Sequence, residues 1–501
     1  MRGIETPITK LRRQVFAEVA RVAFDSKNLN DDIEAIPYKI TPGDVPLYRE
    51  SIYRERAIAA ERVRLAMGLS LRPENKPVHV TSGLSESNIS DKYYEPPLMQ
   101  VIPSACDMCE HNVYEVSNQC RGCVAHPCME VCPKGAISMV NGRSFIDKEK
   151  CIKCGKCKAI CPYDAIAKKV RPCASACGVN AIESDEQGRA RINEEKCVSC
   201  GQCMVSCPFG AIADKSQFFQ LIRAIKKGDR VVAAVAPAVV GQFGKDVTLW
   251  KIKAALKDLG FSDVHEVALG ADIGAITEAH HYVDKVKSGE LPFLLTSCCP
   301  SWSVLAKRVL SEELADTVSN SLTPMVATAR SIKQKDPEAR VVFIGPCASK
   351  KLEASRRSVR SDVDFVITFE ELAAMFEAKG IDFEHYDKEE PVHDATGAGR
   401  GYAVATGVAA AIEKCINEYY PDVDVFIEHA EGLSDCQKML MLAKAGKKDG
   451  CLIEGKACPG GCVAGAGTNI PIPQATQAVK KFVRDSTVKV PPKDLEKIDL
   501  P

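Results

Sequence analysis

The sequence of 501 residues lacks any run of about 18 consecutive apolar residues, the length that a helix needs to cross a membrane. It also lacks net charge, because 66 lysine and arginine residues balance 66 aspartate and glutamate residues. Without a basic excess or an apolar span, we expect neither nucleic acid nor a membrane as a partner. The first residues carry Arg and Lys without the apolar stretch of a secretion signal, which predicts a cytoplasmic protein.

Cysteine is absent from residues 1–100, but the whole chain contains 24 cysteines. Residues 101–210 hold sixteen of them and residues 211–501 hold eight. In a reducing compartment, clustered cysteines indicate metal ligands rather than disulfides. This distribution divides the chain into a helical N-terminal segment with a linker (1–100), a cysteine-rich α+β segment (101–214) and a third segment (215–501).

Hydrophobic periodicity predicts the elements around these cysteines. Helical spacing covers residues 11–22 and 48–68, and residues 72–97 have the composition of a linker. The middle segment has too little apolar sequence for a core of its own, so bound clusters must replace that core. From residue 215 onward, short apolar strands alternate with amphipathic helices, which predicts an α/β domain. The predicted strands cover residues 231–235, 293–295, 341–344, 365–367 and 423–427.

Two regular cysteine motifs lie in the middle segment, each with the pattern C-x2-C-x2-C-x3-C-P. They comprise Cys151, Cys154, Cys157 and Cys161, followed by Cys197, Cys200, Cys203 and Cys207. In this pattern three thiolates hold one cubane 4Fe–4S cluster, and the fourth ligates the cluster of the other motif. We therefore predict that Cys207 completes the first cluster and Cys161 the second. Structural zinc, the alternative, does not need the trailing Cys-Pro.

Eight further cysteines of this segment are spaced less regularly. Pseudo-symmetry with the regular motifs predicts two more cubanes, four in total. The predicted ligands are Cys120, Cys123, Cys128 and Cys177 for one cluster, and Cys106, Cys109, Cys132 and Cys173 for the other. Four cubanes would carry single electrons between the surface and a buried site, and a purely structural role for any one of them is the alternative.

Five later cysteines lie in three separated segments, which read TSCCPSW (296–302), GPCASKKLE (345–353) and EGKACPGGC (454–462). The first two follow predicted strands, where α/β folds place their chemistry. The third is rich in glycine, which lets the backbone approach a bulky cofactor. Four of these cysteines suit one further cubane, with Cys298 left over beside it: Cys299, Cys347, Cys458 and Cys462.

These three segments resemble, in this order, the signature motifs of the iron-only (FeFe) hydrogenases. The resemblance covers about residues 215–501, and a ferredoxin-like region upstream also occurs in that family. It implies an α/β domain with two lobes of sheet flanked by helices. It also implies an H-cluster, which joins a cubane to a two-iron unit with CO, CN and azadithiolate ligands, and the reversible reduction of protons to H2. Electrons would come from ferredoxin or a similar carrier, and maturation enzymes would insert the two-iron unit.

The resemblance also implies roles for single residues around the H-cluster. Cys462 would bridge the cubane to the two-iron unit, and Cys298 would be the free thiol that passes protons to it. Lys350 would donate a charge-assisted hydrogen bond to a cyanide ligand.

Three residues align with the proton path of that family. Glu278 and Ser319 align with an acid and a hydroxyl, and His281 stands where a second acid is usual. Histidine relays protons near neutral pH, so we expect the path to persist with a changed pH dependence. Positions on a helix surface or at a helix cap are the alternative for all three.

The residues around the predicted cluster depart from the best-studied members of the family. Gly345 and Lys456 replace methionines, Ala238 replaces a serine, Met325 replaces a glutamine, and the run 406–410 is altered. These departures are typical of a divergent subgroup, sometimes called group B. Residues of this kind tune potential and affinity. We expect Lys456 and Ala238 to lie against the cofactor, with a solvent-facing Lys456 as the alternative.

Three functions remain as hypotheses. The first is a ferredoxin-linked hydrogenase. The second is an iron–sulfur assembly or scaffold protein of the hydrogenase-like type, without the two-iron unit. The third is a hydrogen sensor, although no signalling segment is evident. Retention of Cys298, Lys350 and the complete third motif favours the enzyme.

Overall fold

The computed structural model describes residues 5–498 and Leu500. Its N-terminal segment consists of four helices, namely α1 (Pro7–Asp25), α2 (Leu29–Ile40), α3 (Ile52–Ala66) and the short α4 (Leu84–Ser87). Helix α1 begins where the Thr6 side chain accepts a hydrogen bond from the Thr9 amide, with proline in the first turn. The sequence predicted α1 and α3 but not α2. Helix α2 contains Pro37, and it buries Ile33, Ile36 and Ile40 on one face.

The N-terminal helices share one hydrophobic core with the third segment. The apolar face of α1, including Val15 and Val19, belongs to the same buried cluster as the strand that begins at Val231. Arg12 of α1 forms an ion pair with Glu370 at 2.7 Å, and both side chains are largely buried. These helices therefore pack as a layer on the α/β domain.

The cysteine-rich region contains small antiparallel ribbons and short helices. Its strands are β1 (Met99–Val101), β2 (Val113–Val116), β3 (Ile137–Val140), β4 (Arg143–Ile146), β5 (Ile166–Lys169), β6 (Ile182–Ser184), β7 (Ala190–Ile192) and β8 (Ile212–Asp214). Its helices are α5 (Pro127–Glu130), α6 (Lys156–Ile160), α7 (Pro172–Ser175) and α8 (Gln202–Ser206).

Strand pairing divides this region into two units. Strand β1 pairs with β8 and β6 with β7, whereas β2 pairs with β5 and β3 with β4. Residues 113–169 thus form a closed outer unit, which is inserted into an inner unit made of residues 99–112 and 170–214. Each unit is built from two cysteine motifs, and each has a small cluster of buried side chains that includes its cysteines.

The third segment is an α/β domain. Its strands are β9 (Val231–Val235), β10 (Asp263–Glu266), β11 (Leu294–Leu295), β12 (Arg340–Gly345), β13 (Phe365–Thr368), β14 (Phe426–Glu431) and β15 (Cys451–Lys456). Its helices are α9 (Phe218–Lys227), α10 (Leu249–Asp258), α11 (Ala268–His281), α12 (Pro300–Val309), α13 (Pro324–Lys335), α14 (Ser349–Ala354), α15 (Phe369–Ala378), α16 (Gly397–Gly401), α17 (Gly407–Tyr419), α18 (Leu433–Lys444) and α19 (Ile472–Arg484). A π-helical turn, Tyr282–Lys287, continues α11.

Two parallel sheets form the two lobes of this domain. One has the strand order β10-β9-β12-β13 and the other has the order β11-β15-β14. In parallel sheets the carboxyl ends of the strands lie along one edge, so residues that follow these strands meet there. Among the residues described, no helix is long and apolar enough to cross a membrane.

A buried triad of charges connects the inner unit to this domain. The Lys351 ammonium is 2.7 Å from Asp214 at the end of β8 and 2.7 Å from Glu371 on α15. Both carboxylates raise the pKa of Lys351 against the opposing effect of its complete burial. Removing one partner of such a group leaves an uncompensated buried charge, so the triad fixes the inner unit against the domain.

Candidate functional site

The later cysteines meet between the two lobes. Cys299 caps the start of α12 just after β11, Cys347 follows β12, and Cys458 and Cys462 follow β15. Burial raises the pKa of Cys347 to about 11, and the neighbouring sulfur atoms of Cys299 and Cys462 add to the rise. The structure therefore brings cysteines from three separated segments into one group between the lobes, and each of them is half-buried.

Close backbone packing shapes the third motif and its strand. Gly461 has a φ of 87°, and a Cβ atom there would lie 2.5 Å from the Ala405 amide nitrogen. At Gly455, a Cβ would lie 2.1 Å from the Trp302 ring, which packs on β15. Only glycine fits these two positions, because any side chain would displace the chain that holds the cysteines.

Lys456 is buried beside Cys298 and does not face solvent. Its Nζ atom donates hydrogen bonds to the Cys298 sulfur at 3.6 Å and to the Tyr402 carbonyl oxygen at 3.2 Å. Glu454 Oε1 lies 3.9 Å from the same nitrogen. Burial disfavours the ammonium, but the adjacent sulfur atoms and Glu454 outweigh burial and raise its pKa well above the ordinary value. The Lys456 side chain therefore carries a positive charge next to Cys298 and the cysteine group.

Glu278 and Ser319 are joined in the interior of the domain. Glu278 lies on α11 with 4% of its surface exposed, and it accepts hydrogen bonds from the Ser319 hydroxyl and the Ser297 amide. Burial raises its pKa to about 7. His281 stands one helical turn further along α11 and is half-buried, and burial lowers its pKa. Glu278 can thus exchange a proton near neutral pH.

Lys350 lies on α14 immediately beyond Cys347 and is largely buried. Its Nζ atom is 2.6 Å from Glu353 Oε2, an ion pair whose angles do not make a hydrogen bond. The other oxygen of Glu353 accepts a hydrogen bond from Thr323 at 2.8 Å. Lys350 therefore retains donor capacity beside the cysteine group.

Several buried polar atoms around these residues have no hydrogen-bond partner within the described part of the chain. Among the residues described, they include Lys350 Nζ, Glu353 Oε2, Glu454 Oε1, Tyr402 Oη and Thr296 Oγ1. Buried polar groups in native proteins are normally satisfied. Four half-buried cysteine sulfur atoms suit the metal ions of a cluster. The buried Lys350 ammonium and the hydroxyls of Tyr402 and Thr296 are donors that suit the hydrogen-bond acceptors of its polar, anionic ligands. The residues present therefore suit the H-cluster that the resemblance implies.

Two of the departures from the family can be placed in the structure. A Cβ atom at Gly345 would lie 2.5 Å from the Phe343 ring, so Phe343 occupies the space beside this position. Ala238 is fully buried in the turn after β9, at the strand edge where Cys347 also lies. Because alanine replaces the usual serine at this position, the turn offers no side-chain hydroxyl there.

The outer unit groups its cysteines within itself. One cavity is lined by Cys132, Cys151, Cys154 and Cys157, together with Lys134 and Lys156. Ser144 connects two of the remaining cysteines, since it lies 3.4 Å from the Cys120 sulfur and 3.3 Å from the Cys128 sulfur. The second group of the outer unit contains Cys120 and Cys128, and we infer that Cys123 and Cys161, the two cysteines of this unit that remain, complete it.

The inner unit groups its cysteines in the same manner. Burial raises the pKa of Cys203 well above its ordinary value, with the neighbouring Cys200, Cys197 and Cys177 adding to the rise. Burial also raises the pKa of Cys173 to about 12, with contributions from its neighbours Cys207 and Cys106. The two groups are Cys177 with Cys197, Cys200 and Cys203, and Cys106, Cys109, Cys173 and Cys207.

These groups correct the predicted pairings. Each predicted set keeps three cysteines and exchanges the fourth: Cys132 replaces Cys207, Cys177 replaces Cys161, Cys161 replaces Cys177, and Cys207 replaces Cys132. The reason is topological. Because the outer unit is closed by the β2–β5 pair, its two motifs exchange their fourth cysteines with each other, and the two motifs of the inner unit do the same.

The inner unit lies directly against the cysteine group of the α/β domain. Gln202 of α8 donates a hydrogen bond to the Cys458 sulfur at 3.2 Å, and Ser301 of α12 donates one to the Val198 carbonyl oxygen at 3.1 Å. A Cβ at Gly201 would lie 2.6 Å from the Ala466 Cβ. Of the two cysteine groups in the inner unit, the one that contains Cys200 thus lies closer to the cysteine group of the α/β domain.

Within the described residues, no group of three or more His, Cys, Asp or Glu side chains is arranged to hold a single metal ion.

Comparisons with known proteins agree with this class of site. The model of the iron-only hydrogenase large subunit, C-terminal domain, matches residues 229–466. A 4Fe–4S binding domain matches residues 190–213, and the LdpA Fe–S cluster-binding domain matches residues 120–171. Fold and site thus define an iron–sulfur protein whose α/β domain is of the iron-only hydrogenase type.

Three relatives illustrate the range of similar proteins. Iron hydrogenase 1 of Clostridium pasteurianum is 30% identical over 74% of this chain and 69% of that protein. The periplasmic [Fe] hydrogenase large subunit of Nitratidesulfovibrio vulgaris is 30% identical over 64% of this chain and 85% of that protein. The cytosolic Fe–S cluster assembly factor NAR1 of Kluyveromyces lactis is 34% identical over 31% of this chain and 27% of that protein. The chain belongs to the iron-only hydrogenase family.

Sequence reasoning missed four residues of the site: Gln202, Glu353, Tyr402 and Glu454. Glu454 was visible as the first residue of the third motif, two positions before Lys456 on β15. Alternate residues of a strand share one face, so this spacing could have indicated a pair. No sequence signal pointed to Gln202 or Tyr402, since their contacts come from other segments.

Proposed function

We propose that this protein is a hydrogenase that catalyses the reversible reduction of two protons to H2. Electrons come from ferredoxin or a similar carrier and pass through four cubanes in the outer and inner units. The observation that carries the proposal is the half-buried group of Cys299, Cys347, Cys458 and Cys462 between the lobes, with Cys298 and Lys456 in hydrogen-bond contact beside it. An H-cluster, inserted with the help of maturation enzymes, supplies the redox chemistry when it is bound.

The chain's own residues hold the cofactor and exclude water. Cys299, Cys347, Cys458 and Cys462 would ligate the H-cluster. Lys350 provides a buried ammonium that can donate a hydrogen bond to an anionic ligand. The low-dielectric surroundings strengthen this interaction, because neither the lysine nor Glu353 is accessible to bulk water.

Proton delivery uses a separate set of residues. Cys298 holds a proton at its sulfur atom, since burial raises the pKa of this thiol to about 12. Glu278 accepts or releases a proton at its carboxylate near pH 7 and passes it through the Ser319 hydroxyl. His281, half-buried and one helical turn from Glu278, would exchange protons with solvent at the outer end of the path.

Two observations bear on a second candidate, an iron–sulfur assembly factor. The similarity to the NAR1 assembly factor supports it. An assembly role would require cubanes at the ligand groups but would have no use for a buried acid, thiol and lysine beyond them. The contacts of Cys298, Glu278 and Lys456 therefore favour the enzyme.

Infrared spectroscopy of protein produced anaerobically with the maturation enzymes tests the proposal. The expected result is a set of metal-bound CO and CN stretching bands, together with H2 production from reduced ferredoxin. A well-characterised hydrogenase matured in parallel serves as the control. If that control shows its bands and this protein retains its cubanes without any, the assembly role replaces the enzyme.

A further inference from the structure

The outer and inner units carry opposite charge. The outer unit, residues 113–169, contains ten lysine and arginine residues against five aspartate and glutamate residues. The inner unit, residues 99–112 and 170–214, contains four against eight. In a chain of zero net charge, such a local excess is a patch that produces a directed electrostatic field.

Apolar side chains are exposed on the same loops that hold the outer cysteines. Val124 is 95% exposed next to Cys123, Ile152 is 55% exposed next to Cys151, and Ile160 is 46% exposed next to Cys161. Cys154 itself is exposed. By contrast, Cys203 and Cys207 of the inner unit are buried. A carrier protein can therefore come closest to a cluster at the outer unit.

Several cations on these loops have no acidic partner. Within residues 5–498, no ion pair involves Lys134, Lys156 or Lys158, although Lys148 and Lys169 of the same unit both pair with Glu110. Lys134 and Lys156 also line the cavity of Cys132 and its partners. Lysines that neutralise no neighbour within the chain are available to an anionic partner.

We propose that these loops are the docking surface of a small acidic one-electron carrier protein. The docking surface comprises Val124, Lys134, Ile152, Lys156, Lys158 and Ile160. The lysines steer the carrier and orient it, and the exposed apolar side chains exclude water at the centre of a small, transient interface. One electron leaves the reduced carrier and enters an outer cubane, so the carrier departs oxidised. This inference rests on the proposed cubanes of the outer unit, and it names the partner of the proposed function by its charge.

Stopped-flow reduction of the cubanes tests the docking surface without hydrogen chemistry. The probe is a chemically reduced 2Fe–2S ferredoxin of net negative charge, mixed anaerobically with full-length protein made without maturation enzymes. The expected second-order rate constant falls as ionic strength rises. In the outer variant Lys134→Glu/Lys156→Glu/Lys158→Glu, it falls about tenfold or more at low salt and converges with the unmodified protein at high salt.

A matched variant in the α/β domain separates docking from net charge. Lys447→Glu/Lys480→Glu/Lys481→Glu makes the same charge change at lysines that are exposed and form no ion pair within the described residues, so the rate constant of this variant should remain unchanged. Iron content and reduction by dithionite check that both variants keep their clusters. The neutral variant Lys134→Gln/Lys156→Gln/Lys158→Gln should give a rate constant between those of the unmodified protein and the outer Glu variant. Equal rates for the outer variant and the unmodified protein, or equal losses in both Glu variants, would overturn the docking surface. Neither result depends on the two-iron unit, so infrared spectroscopy still judges the hydrogenase proposal separately.

Discussion

The two sides of the proposed catalytic centre are built differently. On the electron side, the inner unit presents cysteines in regular spacing, and one hydrogen bond from Gln202 reaches the Cys458 sulfur. On the proton side, Cys298, Glu278 and Lys456 come from three different elements and meet only in the folded domain. Electrons need clusters within a certain distance, which local cysteine loops provide. Protons need a chain of groups in contact, which only tertiary packing can provide.

The largest effect on turnover should come from a substitution among the residues that deliver protons. Glu278→Gln removes a group that gains and loses a proton near neutral pH, so turnover should fall by about 10² or more. Infrared bands and electron transfer into the cubanes should stay as in the unmodified protein, because no cluster ligand changes. Full activity in this variant would show that protons take another route. His281→Gln is the comparison, with a smaller loss that is most evident near neutral pH.

The same substitution should change the pH dependence of stability. The pKa of Glu278 is about 7 in the folded protein against an ordinary value of 4.5. Between these values the folded state keeps a proton that the unfolded state has lost, so stability falls as pH rises through this window. The loss amounts to about 3 kcal/mol by pH 8. Denaturant unfolding at several pH values should show a flatter profile for Glu278→Gln, and parallel profiles would contradict the assignment.

The electron side can be tested by double substitutions that distinguish the cysteine groups. Cys132→Ser/Cys154→Ser removes two ligands of one group, so about four iron atoms per chain should be lost, as in either single variant. Cys132→Ser/Cys200→Ser affects two groups and should lose about eight. Iron analysis and EPR measure both. If the first pair lost twice the iron of its single variants, the grouping by units would be wrong.

A smaller effect is expected where the two sides meet, at Lys456. Lys456→Met removes a buried positive charge beside Cys298, so the reduction potential of the H-cluster should fall and its CO and CN bands should move to lower frequency. Lys456→Arg keeps the charge and should move them less. Measured cubane potentials in the outer unit provide the internal control, since they should not move. Unchanged CO and CN bands in Lys456→Met would show that the Lys456 charge does not act on the H-cluster.

The smallest effect should follow Gln202→Leu, which deletes the hydrogen bond to the Cys458 sulfur. Such a bond contributes on the order of 1–3 kcal/mol and stabilises the more negative, reduced cluster. The variant should therefore show a slightly lower potential for the cubane of the H-cluster, with turnover nearly unchanged. Potentiometric titration followed by infrared spectroscopy measures the shift. Gln187→Leu, an exposed position of the inner unit, is the control and should have no effect.

Much of the fold was predictable where apolar runs are short and bounded. Strand β9 matches its predicted range of residues 231–235, and β12 and β13 lie within one residue of theirs at each end. Strand β14 begins at Phe426, three residues later than the pattern over residues 423–427 predicted. Helix α2 was missed because a proline within it breaks the local pattern, whereas burial of its isoleucines where it packs on α1 and α3 stabilises it.

The sequence by itself determined which cysteines are candidate ligands, because tight loops with Cys-Pro endings are local and their spacing is visible. It also determined the alternation of strands and helices that makes the α/β domain. Only the tertiary structure decided which cysteine completes each group, since that depends on how the outer unit is inserted between β1 and β8. Only the tertiary structure placed Lys456 against Cys298, because a lysine's exposure depends on segments far away along the chain. Local chemistry is encoded in short motifs, whereas long-range contacts arise from packing that no short motif contains.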